Sequence, residues 1–569
     1  MASEVTEKTK NLIEQGDFLF TQRNSSMLLS LWQESAEQFY PERAQFTTNF
    51  TIGRNLADNL TTSYPILCRR DLGNIISAML RPSSEDWMEV GTRRPDKEDQ
   101  QGKKWLEWAS ETQRRAMYDH VSGFMRATKE ADHDFVTFGQ AAISCVLGRG
   151  GDTLSLRSWH LRDMAWAEDE TGQIDTIFRK WRPTARNLVR MFKDKVAKEV
   201  ADALEKTPYR EFNCQHMVVP SDYDGNKGAK RLGTQFASIF VDSDNRVTME
   251  ERGVHNIIYV IPRWQTVSGS QYSYSPAAIA ALPDARLIQD ITLVLLDAGE
   301  KAVDPPRVMA ADSLRSDIQL FAGGITVYDK EYDEGRGGEF LRPVGADEQN
   351  LNYGVALREN IKQMIMEAFY LNKIGLPPIG RDMTAFEVGQ RVSEYVRNAL
   401  PLFEPIENEY NAKLCELIFD VMMRAGAFGS PLDIPQSIRG ADIQFKFQSP
   451  LAAALETKKG QKYQQMKAML AEGMAIDQGV LGMVDNEVAL RDALEGVGTP
   501  ASWMRSEDEA AKFMASIRQK ADAQQQIAQI GAGADAANSL GQAAQNLGML
   551  PPPGQARRPG SAAPAGALV

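Results

Sequence analysis

A chain of 569 residues is long enough for roughly three or four domains of ordinary size and for a large buried core. Hydrophobic residues make up 43% and charged residues 25%, which is typical of a globular protein rather than a disordered or fibrous one. The formal net charge of −12 excludes a protein that holds nucleic acid over a broad basic face, but it is compatible with one past which nucleic acid slides.

No signal peptide, membrane span or paired cysteine motif is expected from the sequence. The stretch MASEVTEKTK lacks the apolar core of a signal peptide. The longest apolar runs, NIIYVI and ITLVLL, fall far short of the roughly 20 residues that a membrane span needs. We therefore expect a soluble protein made in the cytosol. Because Cys68, Cys145, Cys214 and Cys415 form no C-x-x-C pair, each is expected to fill a core position rather than bind metal or form a disulfide.

The beginning of the chain is predicted to be mainly helical. Residues 25–40 have helical periodicity, and a further pair of helices, broken near Pro65, leads through RPSSEDWMEV into a short strand. Helical spacing is again predicted over 101–148, up to and including the segment FVTFGQAAISCVL. Trp105 and Trp108 are expected to anchor this region in the core.

From Asp152 onward the apolar spacing changes from the period of a helix to that of a strand. A surface helix is predicted from Thr184 to Leu204. The predicted strands around it are DTLSLRSW, RDMAWAED, IDTIFRKW, FNCQHMVV, TQFASIFVD, VTMEERG and HNIIYVI, with turns at DETG, SDYDGNKG and DSDN. The expected fold class is therefore α+β, with a helical N-terminal part packed on a mostly antiparallel sheet.

Catalytic and metal-binding motifs do not occur in the sequence. There is no G-x-x-x-x-G-K-[ST] phosphate loop and no G-x-S-x-G nucleophile elbow. The glycine-rich GRGGDT lacks a lysine and is interpreted as a turn between a helix and a strand. DSDNRVTMEERG lacks the glycine and glutamate that a calcium loop needs, and the histidines never lie three or four residues apart. No catalytic residue, cofactor or metal is expected, and the protein is not expected to be an enzyme.

Two amphipathic helices separated by a β-rich insert occupy the centre of the chain. The first runs from Ala285 to Val303, and the second from Gly354 to Leu371. Each is about 18 residues long and therefore about 27 Å at 1.5 Å per residue. The insert between them is rich in Gly, Pro and Asp. This arrangement predicts a stalk with a tip.

A loop and a long kinked helix are predicted to follow. The segment LNKIGLPPIGRDM contains two glycines and a Pro-Pro pair, so it is predicted to be a loop. Thr384 and Glu387 have the spacing of a capping box, which begins a helix. Pro401 and Pro405 should kink that helix, and Gly426 should end it.

The C-terminal part is predicted to change from ordered to disordered. ADIQFKFQSPLAAALE has the pattern of a strand that runs into a helix, and residues 452–530 have helical composition. From Gly531 the chain consists mainly of Ala, Gly, Pro, Gln and Ser. Such a segment buries too little apolar surface to offset the entropy of ordering, so it is expected to be disordered.

Many of these segments together resemble the head-to-tail connector, or portal, proteins of podovirus-type tailed bacteriophages. No single segment decides the resemblance, but the occurrence of so many in this order is specific. The matching segments are LWQESAEQFYPERAQF, DFVTFGQAAISCVL, GQIDTIFRKWRPTARNLVRMF, YSYSPAAIAALPDARLIQDI, KAVDPP, AGGITVYD, AFYLNKIGLPP, MTAFEVGQRVSEYVRNALPLFEPIENEY and FQSPLAAALE.

The resemblance implies a portal fold assembled as a ring, usually a dodecamer, at one capsid vertex. DNA is packaged and ejected through such a ring. The implied parts are a helical and β wing at 1–275, a first stem helix at 276–303, a small β-containing clip at 304–353, a second stem helix at 354–371, a tunnel loop at 372–383, a kinked wing helix with a following strand region at 384–449, a helical crown at 450–530 and a disordered tail at 531–569.

The resemblance also implies partners and a location. The partners are other copies of the chain, major capsid and scaffolding proteins, the terminase large subunit bound transiently, tail adaptor proteins and double-stranded DNA in the channel, without a membrane. The location is the virion, after synthesis in the host cytoplasm. Lys373 and Arg381 in the tunnel loop are candidates for steadying the duplex, or are simply exposed loop charges. Two other functions stay open: a different ring-forming virion component such as a tail adaptor, or a packaging enzyme.

Overall fold

The computed structural model divides the chain into two compact units, Met1–Thr499 and Pro500–Val569. It describes residues 7–48, 60–83, 86–94, 98–148, 150–223, 233–303, 307–308, 342–343, 348–374, 406–447, 463–471, 484–496, 499, 503–505, 509–517, 519–520 and 539.

Helices account for most of the first unit. They are α1 (Glu7–Ser25), α2 (Leu28–Phe39), α3 (Tyr64–Leu80), α4 (Gln100–Met117), α5 (Phe124–Phe138), α6 (Ala185–Phe192), α7 (Lys198–Lys206), α8 (Pro276–Val303), α9 (Glu348–Ala368), α10 (Leu371–Ile374), α11 (Lys413–Arg424) and α12 (Asn486–Gly496), with a π-helical turn at Glu407–Ala412 before α11. None of the described helices is long and apolar enough to cross a membrane.

Twelve strands complete the described part of the first unit. They are β1 (Met88–Thr92), β2 (Ile143–Leu147), β3 (Leu154–Ser158), β4 (Met164–Glu168), β5 (Ile174–Trp181), β6 (Cys214–Pro220), β7 (Phe236–Asp242), β8 (Val247–Val254), β9 (Tyr259–Val260), β10 (Arg307–Val308), β11 (Arg342–Pro343) and β12 (Ile443–Phe447).

The largest sheet has five antiparallel strands in the order β4-β5-β6-β7-β8. Side chains alternate between its faces, as the two-residue period of a strand requires. Phe178 and Met217 pack with α1 on one face, whereas their neighbours Ile177 and Val218 pack with Trp32 of α2 on the other. Both faces are therefore covered, and the predicted α+β class with a mostly antiparallel sheet is confirmed.

Smaller sheets connect distant parts of the chain. β2 pairs with β3 and β9, and β10 pairs with β11, all in antiparallel register. β1 pairs with β12, where Val90 lies opposite Phe445. The core beside this last pair includes side chains from α3, α4, α5, α8, α9 and α11. The C-terminal strand is thus integrated into the helical N-terminal part.

The prediction of helical structure over 101–148 is wrong at the end of that range. Helical structure was expected throughout 101–148, but α5 ends at Phe138 and Ile143–Leu147 is the strand β2. Gly139 has a φ of 76°, a left-handed conformation that ends helices. A short apolar run such as ISCVL is ambiguous between helix and strand, and its pairing with β3 decides the outcome. GRGGDT consequently joins two strands rather than a helix and a strand.

Two further predictions need correction. The helix expected from Thr184 to Leu204 is two helices, α6 and α7, because the chain turns at Lys193, which has a φ of 51°. Trp105 packs against the core as expected, whereas Trp108 is 45% exposed and is not a core anchor. Trp108 instead lies at the rim, with its ring edge-on to Phe428.

The predicted central helices are present with different limits. α8 begins at Pro276 and passes through Pro283, so it is longer than the Ala285–Val303 prediction. α9 begins at Glu348 and ends at Ala368, ahead of the predicted end at Leu371. Gly426 has a φ of 78° and lies two residues beyond Arg424, the last residue of α11, as predicted for a helix stop.

The second unit contains a helix at 509–517 among its described residues. Arg505 lies over the ring of Phe513 within that unit, at 4.1 Å from the ring centroid. Phe513, Met514 and Ile517 are exposed there.

Candidate assembly and channel elements

The helices α8 and α9 lie side by side and together form a structure that we call the arm. At its base, Ala285 and Ile288 of α8 share one buried core with Ile361, Ile365 and Phe369 of α9. Farther along, Gly354 of α9 meets Leu295 of α8 so closely that a Cβ atom on Gly354 would lie 2.8 Å from the leucine side chain. The helices are therefore antiparallel, and the glycine permits their close approach.

A buried glutamine fixes the arm to the body. The Gln289 Oε1 atom accepts hydrogen bonds from the backbone N–H groups of Thr61 at 2.8 Å and Thr62 at 2.9 Å. Its Nε2 group donates to the Thr62 carbonyl at 3.0 Å, and the Thr61 hydroxyl donates to the Gln289 carbonyl at 2.8 Å. This set of hydrogen bonds holds α8 against the segment that precedes α3.

The outer surface of the arm is unusually apolar for a solvated helix pair. Val294 is 61% exposed and Tyr353 is 73% exposed. Leu287, Leu293, Leu296, Val355 and Met364 are also exposed. The apolar residues of the predicted amphipathic helix therefore have two different environments. Ile288 packs in the core, whereas Leu287 and Val294 are exposed. Exposed apolar side chains that recur along both helices are typical of surfaces that other molecules cover.

Charges on α8 are predominantly acidic along its described side chains. Asp290, Asp297 and Glu300 are exposed, and they follow a single exposed arginine, Arg286, near the body. Arg286 is paired with Glu34 of α2. The outer half of α8 therefore presents carboxylates together with apolar side chains.

A fully buried polar cluster ties three helices together at the end of α3. Arg81 forms an ion pair with Asp132 of α5 and donates to Asn411 Oδ1 at 2.6 Å. Its guanidinium lies 4.6 Å from the ring centroid of Tyr410. Burial raises the pKa of both Asp132 and Tyr410. Asn411 and Tyr410 lie in the π-helical turn, so this cluster fixes the segment that leads into α11.

The predicted channel residues fall largely outside the described part of the chain. Lys373 lies in the short helix α10 (Leu371–Ile374), so the prediction of a loop is wrong for the first four residues of LNKIGLPPIGRDM. Nothing further is described of the Lys373 side chain. Arg381, Pro401 and Pro405 lie outside the described residues. The structure therefore leaves the tunnel-loop and helix-kink predictions as predictions.

The cysteine prediction is confirmed, since Cys68, Cys145, Cys214 and Cys415 are all buried free thiols. Burial raises the pKa of Cys68 to about 11 and that of Cys145 to about 12, so both are protonated at neutral pH. In the part of the chain that the structure describes, no group of three or more His, Cys, Asp or Glu side chains could hold a metal ion.

Sequence reasoning missed the buried cluster. Arg81 follows the last residue of α3 and Asp132 lies in α5, and the patterns of these two helices gave no sign of a buried charge pair. It also missed which apolar residues of the arm point outward. Both depend on which elements pack together, and the periodicity of a single helix does not contain that information.

The chain is similar to known proteins over most of its length. A family model described as "Bacteriophage head to tail connecting protein" matches residues 18–504. The "Probable portal protein" of Bordetella phage BPP-1 is 25% identical over 548 residues, which cover 95% of this chain and 96% of the relative.

Two solved structures are similar at 11% identity. The virion of a native gene transfer agent particle matches with a TM-score of 0.34, covering 72% of this chain and 86% of that chain. The neck of an empty gene transfer agent particle matches with a TM-score of 0.37, and the match covers 82% of this chain and 99% of that chain. On the evidence of the family model, which spans nearly the whole sequence, the chain belongs to the family of bacteriophage head to tail connecting proteins.

Proposed function

We propose that this chain is one subunit of a portal ring, the channel at one capsid vertex through which a tailed phage packages and ejects its DNA. Family membership and the relative named as a probable portal protein support this function. The structural observation that carries the proposal is the apolar outer surface of the arm, with Val294, Leu296 and Tyr353 exposed in a single chain.

The arm surface fits a ring because each subunit then has two neighbours. Side chains such as Leu293 and Val294 on one arm would pack against the next arm, and burial of apolar surface stabilises the assembly by about 25 cal/mol per Å². Repetition of one head-to-tail contact closes into a ring when the rotation permits closure. A dodecamer is the expected size.

The parts of the portal are assigned along the chain as follows. Residues 1–275 form the wing with the segment at 384–449, and the arm helices are the stem. The insert between α8 and α9 is the clip, at which the terminase large subunit docks transiently during packaging and tail adaptor proteins dock afterwards. Residues 450–530 form the crown, and the wing contacts capsid and scaffolding proteins. The role is structural, without catalysis by this chain, in the virion.

The acidic charge of the chain supports a role as a channel through which DNA moves. The overall net charge is −12, and Asp290, Asp297 and Glu300 lie exposed on the outer half of α8. Carboxylates repel DNA phosphates, so a channel wall of this kind lets the duplex slide without holding it. Lys373 and Arg381 in the tunnel loop would be the weak contacts that steady it.

Electron microscopy of the purified full chain in negative stain tests the proposal. Rings with a central hole are the expected particles. A population of monomers under all protein and salt concentrations, or ATP hydrolysis by this chain alone, contradicts it.

The tunnel-loop assignment has a separate test. Lys373→Glu with Arg381→Glu should leave the rings intact but reduce the amount of DNA packaged or retained, because the weak contacts with phosphate become repulsive. Packaged DNA is measured per particle by quantitative PCR after nuclease treatment. Normal packaging by intact variant rings shows that these two cations have no role.

A further inference from the structure

A cationic surface lies at α6, a helix that packs with α7 against the sheet of the body. The surface consists of Arg182, Arg186 and Arg190, with Tyr209 and Arg210 beside them, and we call it the basic face. All five residues are exposed, Tyr209 to 72%. Because the whole chain carries a net charge of −12, this concentration of arginine differs from the charge balance of the rest of the chain.

The sequence of α6 directs its arginines away from the core. Leu188 and Phe192 are buried in the core that α6 shares with α7. Arg186 and Arg190 are four residues apart, so they lie one above the other on the opposite side, about 6 Å apart along the helix axis. The Thr184 hydroxyl accepts a hydrogen bond from the N–H of the third helical residue at 3.4 Å and fixes the start of the helix.

Backbone hydrogen bonds bring Tyr209 and Arg210 to the first turn of α6. The Ala185 N–H donates to the Arg210 carbonyl at 2.9 Å, and the Arg186 N–H donates to the Pro208 carbonyl at 3.1 Å. These N–H groups of the first turn are thereby used, so the basic face meets a ligand through its side chains. The Tyr209 hydroxyl can donate to an acceptor oxygen.

The arginines of the basic face lack acidic partners. Arg182, Arg186, Arg190 and Arg210 form no ion pair with any residue that the structure describes. Exposed arginines on other helices pair with a carboxylate one turn away, as do Arg115, Arg126 and Arg424. Like charges four residues apart destabilise a helix, so Arg186 and Arg190 weaken α6. An anion bound between these two side chains relieves their repulsion.

Carboxylates around the basic face are too few to neutralise it. Glu211 follows Arg210, and Asp194 lies beyond the end of α6, but neither pairs with an arginine of the face. The exposed acidic residues of α7 are accompanied by exposed lysines of the same helix: Glu199, Asp202 and Glu205 with Lys198 and Lys206. The face therefore keeps an excess of positive charge.

The composition of the basic face favours a phosphate backbone over a protein partner. Protein interfaces centre on apolar side chains and are depleted of charge at their core. Among the exposed residues of α6, only Met191 is apolar. Duplex DNA carries one negative charge per about 1.7 Å of its axis, so guanidinium groups one helical turn apart both meet phosphates whatever the base sequence.

We propose that the basic face binds the phosphate backbone of double-stranded DNA without regard to base sequence. Its four arginines contact phosphates, and the Tyr209 hydroxyl donates to a phosphate oxygen. The contact is weak and depends strongly on salt, because so few cations displace few counterions. The face belongs to the body rather than to the arm or the tunnel loop, so this contact goes beyond the proposed channel.

Binding of a fluorescently labelled DNA minicircle to the full chain, measured by gel shift, tests the proposal. Closed circular DNA cannot thread the channel of an assembled ring, so it reports on other surfaces. Wild-type protein should bind in about 50 mM NaCl and at least tenfold more weakly in about 200 mM NaCl. Arg186→Gln with Arg190→Gln should weaken binding at least fivefold at the lower salt concentration. The slope of log K against log salt concentration should become shallower by about two, since two phosphate contacts are lost.

Two control variants separate position from charge. Lys104→Gln with Lys129→Gln removes the same charge from exposed lysines of α4 and α5 that form no ion pair among the described residues. This variant should change binding less than twofold and leave the slope unchanged. Arg186→Lys with Arg190→Lys keeps the charge of the basic face, so its binding should stay within threefold of the wild type.

Several results would overturn the assignment. Absence of binding by the wild type at the lower salt concentration contradicts the site, and equal weakening in the two glutamine double variants shows a nonspecific charge effect. Displacement of the minicircle by poly-aspartate as effective as that by unlabelled DNA would assign the face to an acidic protein instead. Both arginines are exposed, so the fold should persist. If the melting temperature of the double variant falls, Arg190→Gln alone is measured, and its slope should become shallower by about one.

The test is independent of the proposed ring. Gel shift of a minicircle needs no assembled particle, so failure to form rings leaves the binding result interpretable. Absence of minicircle binding by protein that forms normal rings would reject the basic face as a DNA contact and leave the proposed channel untouched.

Discussion

The five-stranded sheet and the arm bury their apolar residues in different ways. The sheet is covered on both faces, and the large side chains Trp166 and Phe178 are fully buried within one chain. The arm is buried only at its base, whereas Val294 and Tyr353 remain in solvent. The body therefore buries its large apolar side chains within one chain, whereas the arm leaves apolar side chains exposed for the neighbouring copies that we propose.

The largest effect is expected from breaking the buried cluster of the body. Asp132→Ala should lower the free energy of unfolding by about 3–5 kcal/mol, because it leaves the Arg81 guanidinium buried without its carboxylate. Unfolding in guanidinium chloride, followed by circular dichroism, measures the change.

The matched control for this prediction is Glu111→Ala. It breaks an exposed ion pair with Arg115 and should cost about 0.5 kcal/mol or less. If Asp132→Ala costs no more than Glu111→Ala, the cluster does not hold the helices of the body together.

Removal of the arm's anchor should have a smaller effect. Gln289→Ala should reduce the free energy of unfolding by about 1–3 kcal/mol, because the backbone N–H groups of Thr61 and Thr62 lose their acceptor. Gln289→Glu keeps acceptor oxygens and should recover part of the loss. The same denaturation assay applies, and equal stability of all three proteins would show that the glutamine does not anchor the arm.

Substitutions on the exposed surface of the arm should weaken ring assembly but have little effect on the stability of the fold. Val294→Glu with Leu296→Glu should raise the protein concentration needed for rings at least tenfold, because charges replace apolar side chains that we expect between neighbours. The unfolding free energy should change by about 0.5 kcal/mol or less, as is usual for exposed sites. Leu432→Glu, at a residue of the body that is 79% exposed, is the control and should leave assembly unchanged. Mass photometry measures assembly, and rings formed equally by all three proteins would contradict a packing role for the arm.

The smallest expected effect concerns pH. Burial lowers the pKa of His133 to about 4, below the usual value of 6.5, so the unfolded chain takes up a proton before the folded one does. This histidine therefore favours the folded state above pH 6.5, and that contribution is lost as pH falls toward 4. The unfolding free energy of the wild type minus that of His133→Gln should decrease from pH 7 to pH 4.5. A constant difference across that range would contradict the shift.

The body was largely predictable because its local patterns agree with its contacts. Strands β4 to β8 alternate in the sequence and pair in order with their neighbours. The strand β2 was missed since ISCVL has no clear period, and its structure depends on pairing with β3 and β9. The π-helical turn at Glu407–Ala412 was missed for a similar reason, because its Tyr410 and Asn411 are fixed by Arg81.

The candidate site was predictable only in outline. The two helices of the arm follow from their apolar spacing, but that spacing indicated a start at Ala285, whereas α8 begins at Pro276. The face of α8 that contacts α9 depends on the close contact between Gly354 and Leu295. The pattern of one helix alone does not specify that contact. The proposed packing of neighbouring arms is harder still to predict from the sequence, because it involves contacts between separate chains.

The most direct test of the central claim is the chemical accessibility of the arm surface in assembled and dissociated protein. All four native cysteines are buried, so a single Val294→Cys substitution supplies the reactive thiol for maleimide labelling. Wild-type protein corrects for background labelling. Labelling of the Val294→Cys variant should be at least tenfold slower in rings than in dissociated subunits. Equal labelling rates in rings and subunits would show that neighbouring copies do not cover the arm.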